Sequence, residues 1–262
     1  MKITVKDILN RLAVSAKASD TTVDKLVAGK DDTEVTGIAV AFMATHHILK
    51  QSLALGANLV ISHEGVFYNH RDGNERLESD PVYQEKQRLI EESGVAIYRL
   101  HDLIHENRPD GIMEGLLRSL DWKQYVIEDR PASSIVDIPA MTIREVAEYV
   151  KTMLDIPFVR IVGDTSTVCK RVGLLAGYRG GGAIGIPLFE KVDLIIAGEG
   201  PEWETPEYVR DAVYQGRRKG LIMLGHAESE EPGMKLLAGE LQLAFPEVPV
   251  RFISDQPLFQ VI

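Results

Sequence analysis

Three short apolar segments occur in the first half of the chain, and similar segments recur in the same order in the second half. The pairs are VTGIAVAF (35–42) with KRVGLLAG (170–177), NLVISHEG (58–65) with DLIIAGEG (193–200), and GVAIYRL (94–100) with GLIMLG (220–225). Near-continuous apolar runs of this length are typical of strands that are covered on both faces of a sheet. The pattern therefore predicts an α/β fold in each half.

Each half also carries the same signal for the start of a helix. Thr4 begins TVKDILNRL and Thr142 begins TIREVAEYV, with Asp7 and Glu145 three residues further on. This is the capping-box pattern, in which the Thr and the acid each accept a hydrogen bond from a backbone N–H at the first turn. We therefore expect a helix at each of these positions.

The order helix–strand–helix–strand–helix–strand–helix, read twice, predicts two similar α/β/α domains from an internal duplication. We place an N-terminal α/β domain at residues 1–130 and a C-terminal α/β domain at residues 131–262, with the boundary in the stretch 129–140. Sites in such proteins often lie in the cleft between the halves, and we expect the functional site there.

Composition limits the classes of partner and location. The 262 residues carry a net charge of −10, which argues against a general nucleic-acid-binding protein because phosphate neutralisation needs a basic surface. The single cysteine, Cys169, cannot form an internal disulfide, and we expect a small core or edge residue. The N-terminus lacks the apolar core of a signal peptide, and no apolar run approaches the ~20 residues that span a membrane. We therefore expect a cytoplasmic protein with no membrane partner.

Side chains that could bind a metal follow the ends of the predicted strands. They are His63, Glu64, His105, His226 and Glu230, with His101 close by. Strand ends form the ligand crevice of open α/β sheets, and residues four apart lie on the same face of a helix. Imidazole and carboxylate are usual ligands of Zn, Mn and Fe, and five of them suit two ions that share a bridging carboxylate and water. A His after a strand can also be an ordinary polar loop residue, so spacing alone leaves both interpretations open.

A glycine-rich stretch offers a rival interpretation. In GYRGGGAIGIP, Gly180, Gly182 and Gly185 form a G-x-G-x-x-G pattern, and Glu199 follows roughly where a dinucleotide-binding fold needs a ribose-binding acid. Too few residues separate this stretch from the next strand for a full crossover helix, and Pro187 interrupts helical hydrogen bonding. We favour a loop whose backbone N–H groups approach an anion or that packs closely.

The segments LGANLVISHEGVFY, YRLHDLIHENRPDGI and LIMLGHAESEEPGMKLLAGEL together resemble the Nif-three-like family, whose members are often called GTP cyclohydrolase 1 type 2. EVTGIAVAFMATHHIL and KVDLIIAGEG also fit, so the resemblance covers most of the chain in order. It implies two similar α/β domains with a dinuclear metal site between them, and subunits that assemble into a ring-shaped homohexamer.

Matched residue by residue, the resemblance assigns the metal ligands to His63, Glu64, His105, His226 and Glu230. The family usually has two adjacent His where this chain has His63 and Glu64. It usually has His-x-x-x-Asp where this chain has His101 and His105. One His has thus become acidic and one acid has become His, so three imidazoles and two carboxylates are kept. Preserved ligand count and charge favour a working site for two divalent ions of Zn, Fe or Mn.

Such a site predicts a metal-dependent hydrolase. The family resemblance implies a substrate that is a nucleotide or another phosphorylated or cyclic amidine small molecule. Two ions ~3.5–4 Å apart would lower the pKa of a bridging water and hold the reacting oxygen. Glu230 is the expected bridging ligand, and His101 and Glu228, near the metals but outside the ligand set, are candidates for proton transfer. The alternative is a non-catalytic metal-binding protein that serves as a regulatory or scaffold ring.

Overall fold

The computed structural model describes residues 2–13, 22–71 and 75–262. Contacts between residues divide the chain into two compact units. The first comprises Met1–Gly111 and Met234–Gln260 with Ile262, and the second comprises Ile112–Gly233 with Val261. The division into residues 1–130 and 131–262, which rests on the repeated sequence pattern, stays a prediction. Its first part includes residues 1, 14–21 and 72–74, which lie outside the described residues.

Strands and helices alternate along most of the chain. The strands are β1 (Lys25–Ala28), β2 (Ile38–Ala41), β3 (Leu59–Ser62), β4 (Ala96–Arg99), β5 (Val126–Arg130), β6 (Ser133–Thr142), β7 (Arg160–Val162), β8 (Val168–Leu175), β9 (Leu194–Ala197), β10 (Gly220–Met223) and β11 (Val250–Phe252). The α-helices are α1 (Val5–Leu12), α2 (His46–Ala54), α3 (Pro81–Ser93), α4 (Asp102–Glu106), α5 (Gly111–Ser119), α6 (Ile143–Leu154), α7 (Gly182–Leu188), α8 (Thr205–Tyr214) and α9 (His226–Ala244). Among the described residues, no helix combines the length and the apolar character needed to cross a membrane.

The described strands of the first unit form a sheet in the order β1-β4-β3-β2-β11. β4, β3, β2 and β11 are parallel neighbours, and β1 pairs antiparallel with β4. Every residue of β2, β3 and β4 is buried, as expected for parallel strands covered on both faces. Ser62 is paired with Arg99, so the residues that follow β3 and β4 emerge side by side at the carboxyl ends of these strands.

The described strands of the second unit form a sheet in the order β5-β6-β8-β9-β10-β7. β8, β9 and β10 are parallel, whereas the pairs β5–β6, β6–β8 and β7–β10 are antiparallel. Ala197 at the end of β9 is paired with Leu175 of β8 and with Met223 of β10. The segments that follow these three strands therefore also start at one end of the sheet.

The structure confirms the three predicted strands in each half, which are β2, β3 and β4 and then β8, β9 and β10. It also confirms both capping boxes. The Thr4 N–H donates to Asp7 Oδ2 at 2.8 Å, and the Asp7 N–H donates to Thr4 Oγ1 at 3.3 Å. In α6 the Thr142 N–H donates to Glu145 Oε2 at 2.7 Å, and the Glu145 N–H donates to Thr142 Oγ1 at 3.2 Å. Both units are therefore mixed α/β structures built on the expected central strands.

The strands that the sequence pattern did not predict are short or antiparallel. The stretch 129–140 contains the end of β5 and most of β6, which pair antiparallel within the second unit. Its polar residues and two prolines favoured a loop, but Ser133, Ser134, Ile135 and Val136 are all buried. A buried Ser is compatible with a strand when neighbouring strands satisfy its backbone, which the local pattern does not reveal.

Cys169 lies in β8 and is 1% exposed, which confirms the expectation of a small core residue. Burial raises the pKa of its thiol to about 11. Because the thiolate is the reactive form, the side chain is inert at neutral pH.

Lys86 in α3 is a buried base. Its Nζ donates to the Val66 carbonyl and lies 5.2 Å from the ring centroid of Tyr68 and 5.5 Å from that of Phe67. Burial lowers the pKa of Lys86 from 10.5 to about 8. The unfolded chain therefore keeps this proton to a higher pH than the folded chain does. Stability should rise with pH between these two pKa values, by at most about 3 kcal/mol.

Lys86→Met should lack this rise. The free energy of unfolding of both proteins, measured by denaturant titration at about pH 7.5 and about pH 10, checks the prediction. Taking the difference in the free energy of unfolding between the two proteins removes the contribution of other groups that titrate in this pH range. The free energy of unfolding of the wild type, relative to that of the variant, should be larger at about pH 10 than at about pH 7.5. A difference between the two proteins that does not change with pH would contradict the lowered pKa of Lys86.

Candidate metal centre

Three histidines converge at the carboxyl ends of the strands in the first unit. His63 directly follows β3, His101 follows β4 after Leu100, and His105 lies in α4. The ring centroids of His63 and His101 are 4.7 Å apart, and His105 is 5.1 Å from each of them. One ligand nitrogen from each ring lies within 4.8 Å of the other two. Zn–N bonds are about 2.0–2.1 Å long, so two nitrogens on one ion are at most about 4.2 Å apart, and small shifts of the rings would bring this group to that spacing.

Each of these imidazoles is anchored through its Nδ1 atom. The contacts are His63 Nδ1 to the Leu100 carbonyl at 3.0 Å, His101 Nδ1 to Asp102 Oδ1 at 2.8 Å, and His105 Nδ1 to Asp110 Oδ2 at 3.0 Å. An acceptor at Nδ1 places the proton there and leaves Nε2 as the nitrogen that can bind a metal. Carbonyl and carboxylate partners of this kind orient the imidazoles of known metal sites and raise their basicity.

Asp24, directly before β1, fixes the start of α4. Its carboxylate accepts from the backbone N–H groups of His101, of Asp102 at 3.0 Å and of Leu103 at 2.7 Å. Asp102 in turn accepts from the Val23 N–H at 3.0 Å. The antiparallel pairing of β1 with β4 therefore supplies the group that holds the His101 segment in place.

Burial lowers the pKa of His101 to about 4, and the neighbouring His63 contributes further. His101 is therefore neutral near pH 7. The neutral imidazole is the form that binds metals.

Glu64 forms an ion pair with the fully buried Arg99. Arg99 Nη2 donates to Glu64 Oε2 at 3.1 Å, and Arg99 Nη1 donates to the His70 carbonyl at 2.6 Å. Glu64 Oε2 also accepts from the Gly65 N–H at 3.2 Å. The other oxygen, Oε1, lies 3.6 Å from His101 Nε2. Glu64 therefore lies beside His101 and His63 and faces a guanidinium with one of its oxygens.

In the second unit, His226 and Glu230 lie one turn apart at the start of α9. His226 Nε2 is 3.2 Å from Glu230 Oε2, and His226 Nδ1 is 2.9 Å from Glu199 Oε2. Glu199 follows β9, so the ends of two neighbouring strands bring these groups together. Glu230 is 2% exposed. Glu228 lies in the first turn of the same helix and is partly exposed.

The structure thus brings together four of the predicted site residues in the first unit and two in the second. Those of the first unit are His63, Glu64, His101 and His105, and those of the second are His226 and Glu230. Their assignment as metal ligands, and that of His101 and Glu228 as proton-transfer groups, stays a prediction.

Several residues of these clusters were not predicted from the sequence. They are His70, Arg99, Asp102, Asp110 and Glu199, each in contact with a predicted site residue. An Arg inside an otherwise apolar strand was the one available signal, since a buried guanidinium needs an acidic partner. Asp102 and Asp110 lie one and five residues after the His that each contacts, but their polar character alone does not predict these contacts. His70 and Glu199 depend on tertiary contacts.

The glycine-rich stretch does not have the partners that a dinucleotide site needs. α7 is only seven residues long and contains Pro187. Glu199, the proposed ribose-binding acid, contacts His226. Gly180 donates through its N–H to the Glu199 carbonyl at 2.9 Å, so the stretch packs closely against the segment after β9.

Comparison with known families decides the affiliation. A model of the family described as Duf34/NIF3 (NGG1p interacting factor 3) matches residues 2–257. The chain belongs to the Duf34/NIF3 family. The resemblance expected from the strand-end motifs is therefore confirmed over nearly the whole length.

Named relatives in the Duf34/NIF3 family are distant in sequence. A GTP cyclohydrolase 1 type 2 homolog of Chlamydia trachomatis is 25% identical over 259 residues, which are 96% of this chain and 97% of the relative. One from Clostridium perfringens is 23% identical over 215 residues, 79% of this chain and 78% of the relative. A crystal structure of a Staphylococcus aureus hypothetical protein superposes with a TM-score of 0.78 at 18% identity and covers 100% of both chains. This last similarity shows a shared fold.

Proposed function

We propose that this protein is a metal-dependent hydrolase, and the convergence of three anchored imidazoles is the observation that carries the proposal. Their ligand nitrogens lie within 4.8 Å of one another, and each ring is held through Nδ1. Imidazole nitrogens with nearby carboxylates are the donor set that Zn, Fe and Mn prefer. The residues present therefore fit a divalent ion.

The finer features expected from the sequence are part of the proposal. They are an internal duplication with a metal site in the cleft between its copies, two ions, a ring-shaped homohexamer, a cytoplasmic location, and the ligand set His63, Glu64, His105, His226 and Glu230. The 3.2 Å contact between His226 and Glu230 supports a second group of ligands. Glu230 remains the proposed bridging ligand because its carboxylate is nearly fully buried.

Bound divalent ions would supply a water of lowered pKa and positive charge for the reacting oxygen. The chain's own groups orient the imidazole rings and transfer protons. Asp102 and Asp110 fix the rings of His101 and His105. Glu228, in the first turn of α9 beside His226 in sequence, is the proposed proton carrier together with His101.

The proposed substrate is a nucleotide or another phosphorylated or cyclic amidine small molecule. The name of two relatives, GTP cyclohydrolase 1 type 2 homolog, supports placing purine nucleotides first in any test. The rest of the class is taken from the family resemblance.

Hydrolysis by the purified protein should depend on divalent metal. A panel of nucleotides, phosphodiesters and cyclic amidines is incubated with the protein as purified, after chelation, and after addition of Zn, Mn or Fe(II). Activity should disappear on chelation and return with metal. Glu230→Ala should lower both the metal content per chain, measured by elemental analysis, and the activity.

Glu240→Ala, an exposed change on the same helix, is the matched control and should leave metal content and activity as in the wild type. Turnover that survives complete chelation would contradict the proposal. Stoichiometric metal without turnover on the whole panel would instead support the alternative, a non-catalytic regulatory or scaffold protein.

A further inference from the structure

We propose that His70 is a substrate-binding residue of the hydrolase and donates a hydrogen bond from its Nε2–H to a phosphoryl oxygen of the substrate. The inference rests on the proposed function and adds a residue to it, because His70 belongs neither to the expected ligand set nor to the expected proton-transfer groups. His70 lies in the loop that follows β3 and Glu64.

Arg99 determines which ring nitrogen of His70 carries the proton. Arg99 Nη2 lies 3.1 Å from His70 Nδ1. A guanidinium has only hydrogen-bond donors, so Nδ1 accepts this bond and has no proton of its own. Glu64 Oε2, the other charged group beside Nδ1, is farther away, at 3.5 Å. The ring proton therefore lies on Nε2, and His70 presents a neutral N–H donor.

The imidazole of His70 is accessible to a ligand at the edge of the candidate metal centre. Its side chain is 49% exposed, although its Nδ1 faces Arg99, whose side chain is only 1% exposed. Within the described part of the chain, no residue forms a hydrogen bond with its Nε2. The ring lies edge-on to that of His101, with 4.8 Å between the centroids. A molecule bound at the ends of β3 and β4 would therefore meet a hydrogen-bond donor there.

The loop that carries His70 is held by two buried cations. Near its start, Lys86 Nζ donates to the Val66 carbonyl, and at its end Arg99 Nη1 donates to the His70 carbonyl at 2.6 Å. Lys86 is 1% exposed and Arg99 0% exposed. Between these anchors Tyr68 has a left-handed backbone conformation, with φ of 51°, which is strained for a bulky side chain. A strained loop that buried groups hold in one conformation is typical of a site whose geometry is set before the ligand binds.

A neutral N–H donor that is already in place favours an oxygen with negative charge as its acceptor. Hydrogen bonds to charged groups are stronger than those between neutral groups, and a fixed donor needs no reorganisation when charge develops on that oxygen. The charge of Arg99 is paired with Glu64, so His70 offers a hydrogen bond and no net charge. Within the proposed substrate class, phosphorylated compounds therefore fit this position better than uncharged cyclic amidines do.

The test measures the binding of inorganic phosphate to the full chain at saturating Zn²⁺ by calorimetry. His70→Phe removes the donor and keeps a ring. It should weaken phosphate binding by about 10-fold or more, because a hydrogen bond to a charged group contributes about that much. His70→Gln, whose amide nitrogen can donate from a similar position, should weaken it by less than about 3-fold.

His47→Phe is the matched control. The His47 side chain is 47% exposed and likewise presents Nδ1 to a charged group, but that group is Asp255, at 2.9 Å, and not a residue of the site. This variant should bind phosphate as the wild type does. Denaturant unfolding of all three variants confirms that the proteins compared are folded.

NMR of the ¹⁵N-labelled histidine rings gives a readout without metal or ligand. In the wild type at about pH 7.5 the His70 resonances, identified by their loss in His70→Gln, should show the proton on Nε2. A proton on Nδ1 would overturn the inference, as would a His70→Phe protein that binds phosphate as tightly as the wild type, or a Zn²⁺-loaded wild type that binds no phosphate. These results leave the proposed metal binding intact. A wild type that binds no divalent ion would refute the proposed function itself.

Discussion

Arg99→Met is expected to lower the free energy of unfolding by about 3–5 kcal/mol, one of the two largest effects predicted for this chain. Arg99 ends β4 and is fully buried, and its guanidinium donates to Glu64 and to the His70 carbonyl. Met fills a similar volume but leaves the Glu64 carboxylate, which is 17% exposed, without its main counter-charge. Removing one partner of a buried ion pair is costly because the remaining charge is poorly solvated.

Denaturant unfolding of the metal-free protein measures this effect. Glu64→Gln in the Arg99→Met background should recover most of the loss, since a pair of neutral groups no longer carries a buried charge. Arg88→Met serves as the control. Arg88 is 59% exposed and pairs with Glu85 at the surface, so its loss should cost less than about 1 kcal/mol. If Arg99→Met and Arg88→Met lowered the free energy of unfolding equally, the buried ion pair would contribute no more to stability than the surface pair.

Gly198→Ala is expected to destabilise the second unit by about 3 kcal/mol. Gly198 directly follows β9, and a methyl group there would collide with Ser229 Oγ and lie 2.7 and 2.8 Å from the backbone O and N of Gly177. The Gly177 N–H donates to Ser229 Oγ at 2.9 Å, so backbone as well as side chain would have to move. Overpacking of this kind forces shifts that the close-packed core cannot absorb cheaply.

Gly239→Ala provides a control of opposite sign. Gly239 lies exposed within α9, and an added Cβ meets nothing within 4 Å. This change should raise stability by about 0.5–1 kcal/mol, because Ala restricts the unfolded chain and favours the helix. Thermal and denaturant unfolding of both variants checks the pair. A neutral Gly198→Ala would mean that the close approach after β9 does not constrain position 198.

Position 198 also explains an asymmetry of the sequence. Gly198 stands in DLIIAGEG where His63 stands in NLVISHEG. After β3 the chain has room for an imidazole, which turns toward the Leu100 carbonyl. After β9 the same place is filled by Gly177 and Ser229. A side chain at 198 is therefore excluded by packing, and the imidazole of the second unit comes from His226 at the next strand end.

The central parallel strands and both capping boxes could be predicted because their signals are local. The apolar runs of β3 and β9 and the spacing of Thr142 and Glu145 are properties of a few consecutive residues. Strands such as β1 and β11 could not, since they become strands through the neighbours they pair with. Their sequences carry little alternation that would distinguish them from loops.

In the candidate site, too, the local features could be predicted from the sequence and the tertiary contacts could not. That His63, His101 and His105 follow strand ends is visible in the sequence, and their convergence follows from parallel pairing. The sequence does not show which nitrogen of each ring is left to bind a metal, because this depends on the partner of the other nitrogen. For His63 that partner is the Leu100 carbonyl, and for His105 it is Asp110. The contact of His101 Nδ1 with Asp102 is likewise not predictable from spacing, and the role of His101 in proton transfer stays a prediction.

The pairing of β11 with β2 has a consequence for biosynthesis. Val250–Phe252 complete the sheet of the first unit, yet they leave the ribosome more than two hundred residues after Ile38–Ala41. Until then β2 presents an open edge of unpaired amide and carbonyl groups, the kind of surface through which nascent chains aggregate. Ile112–Gly233, by contrast, is almost continuous and is available for folding earlier. Premature termination before residue 250 should therefore release chains that depend on chaperones, even though every residue of the three-imidazole cluster has already been translated.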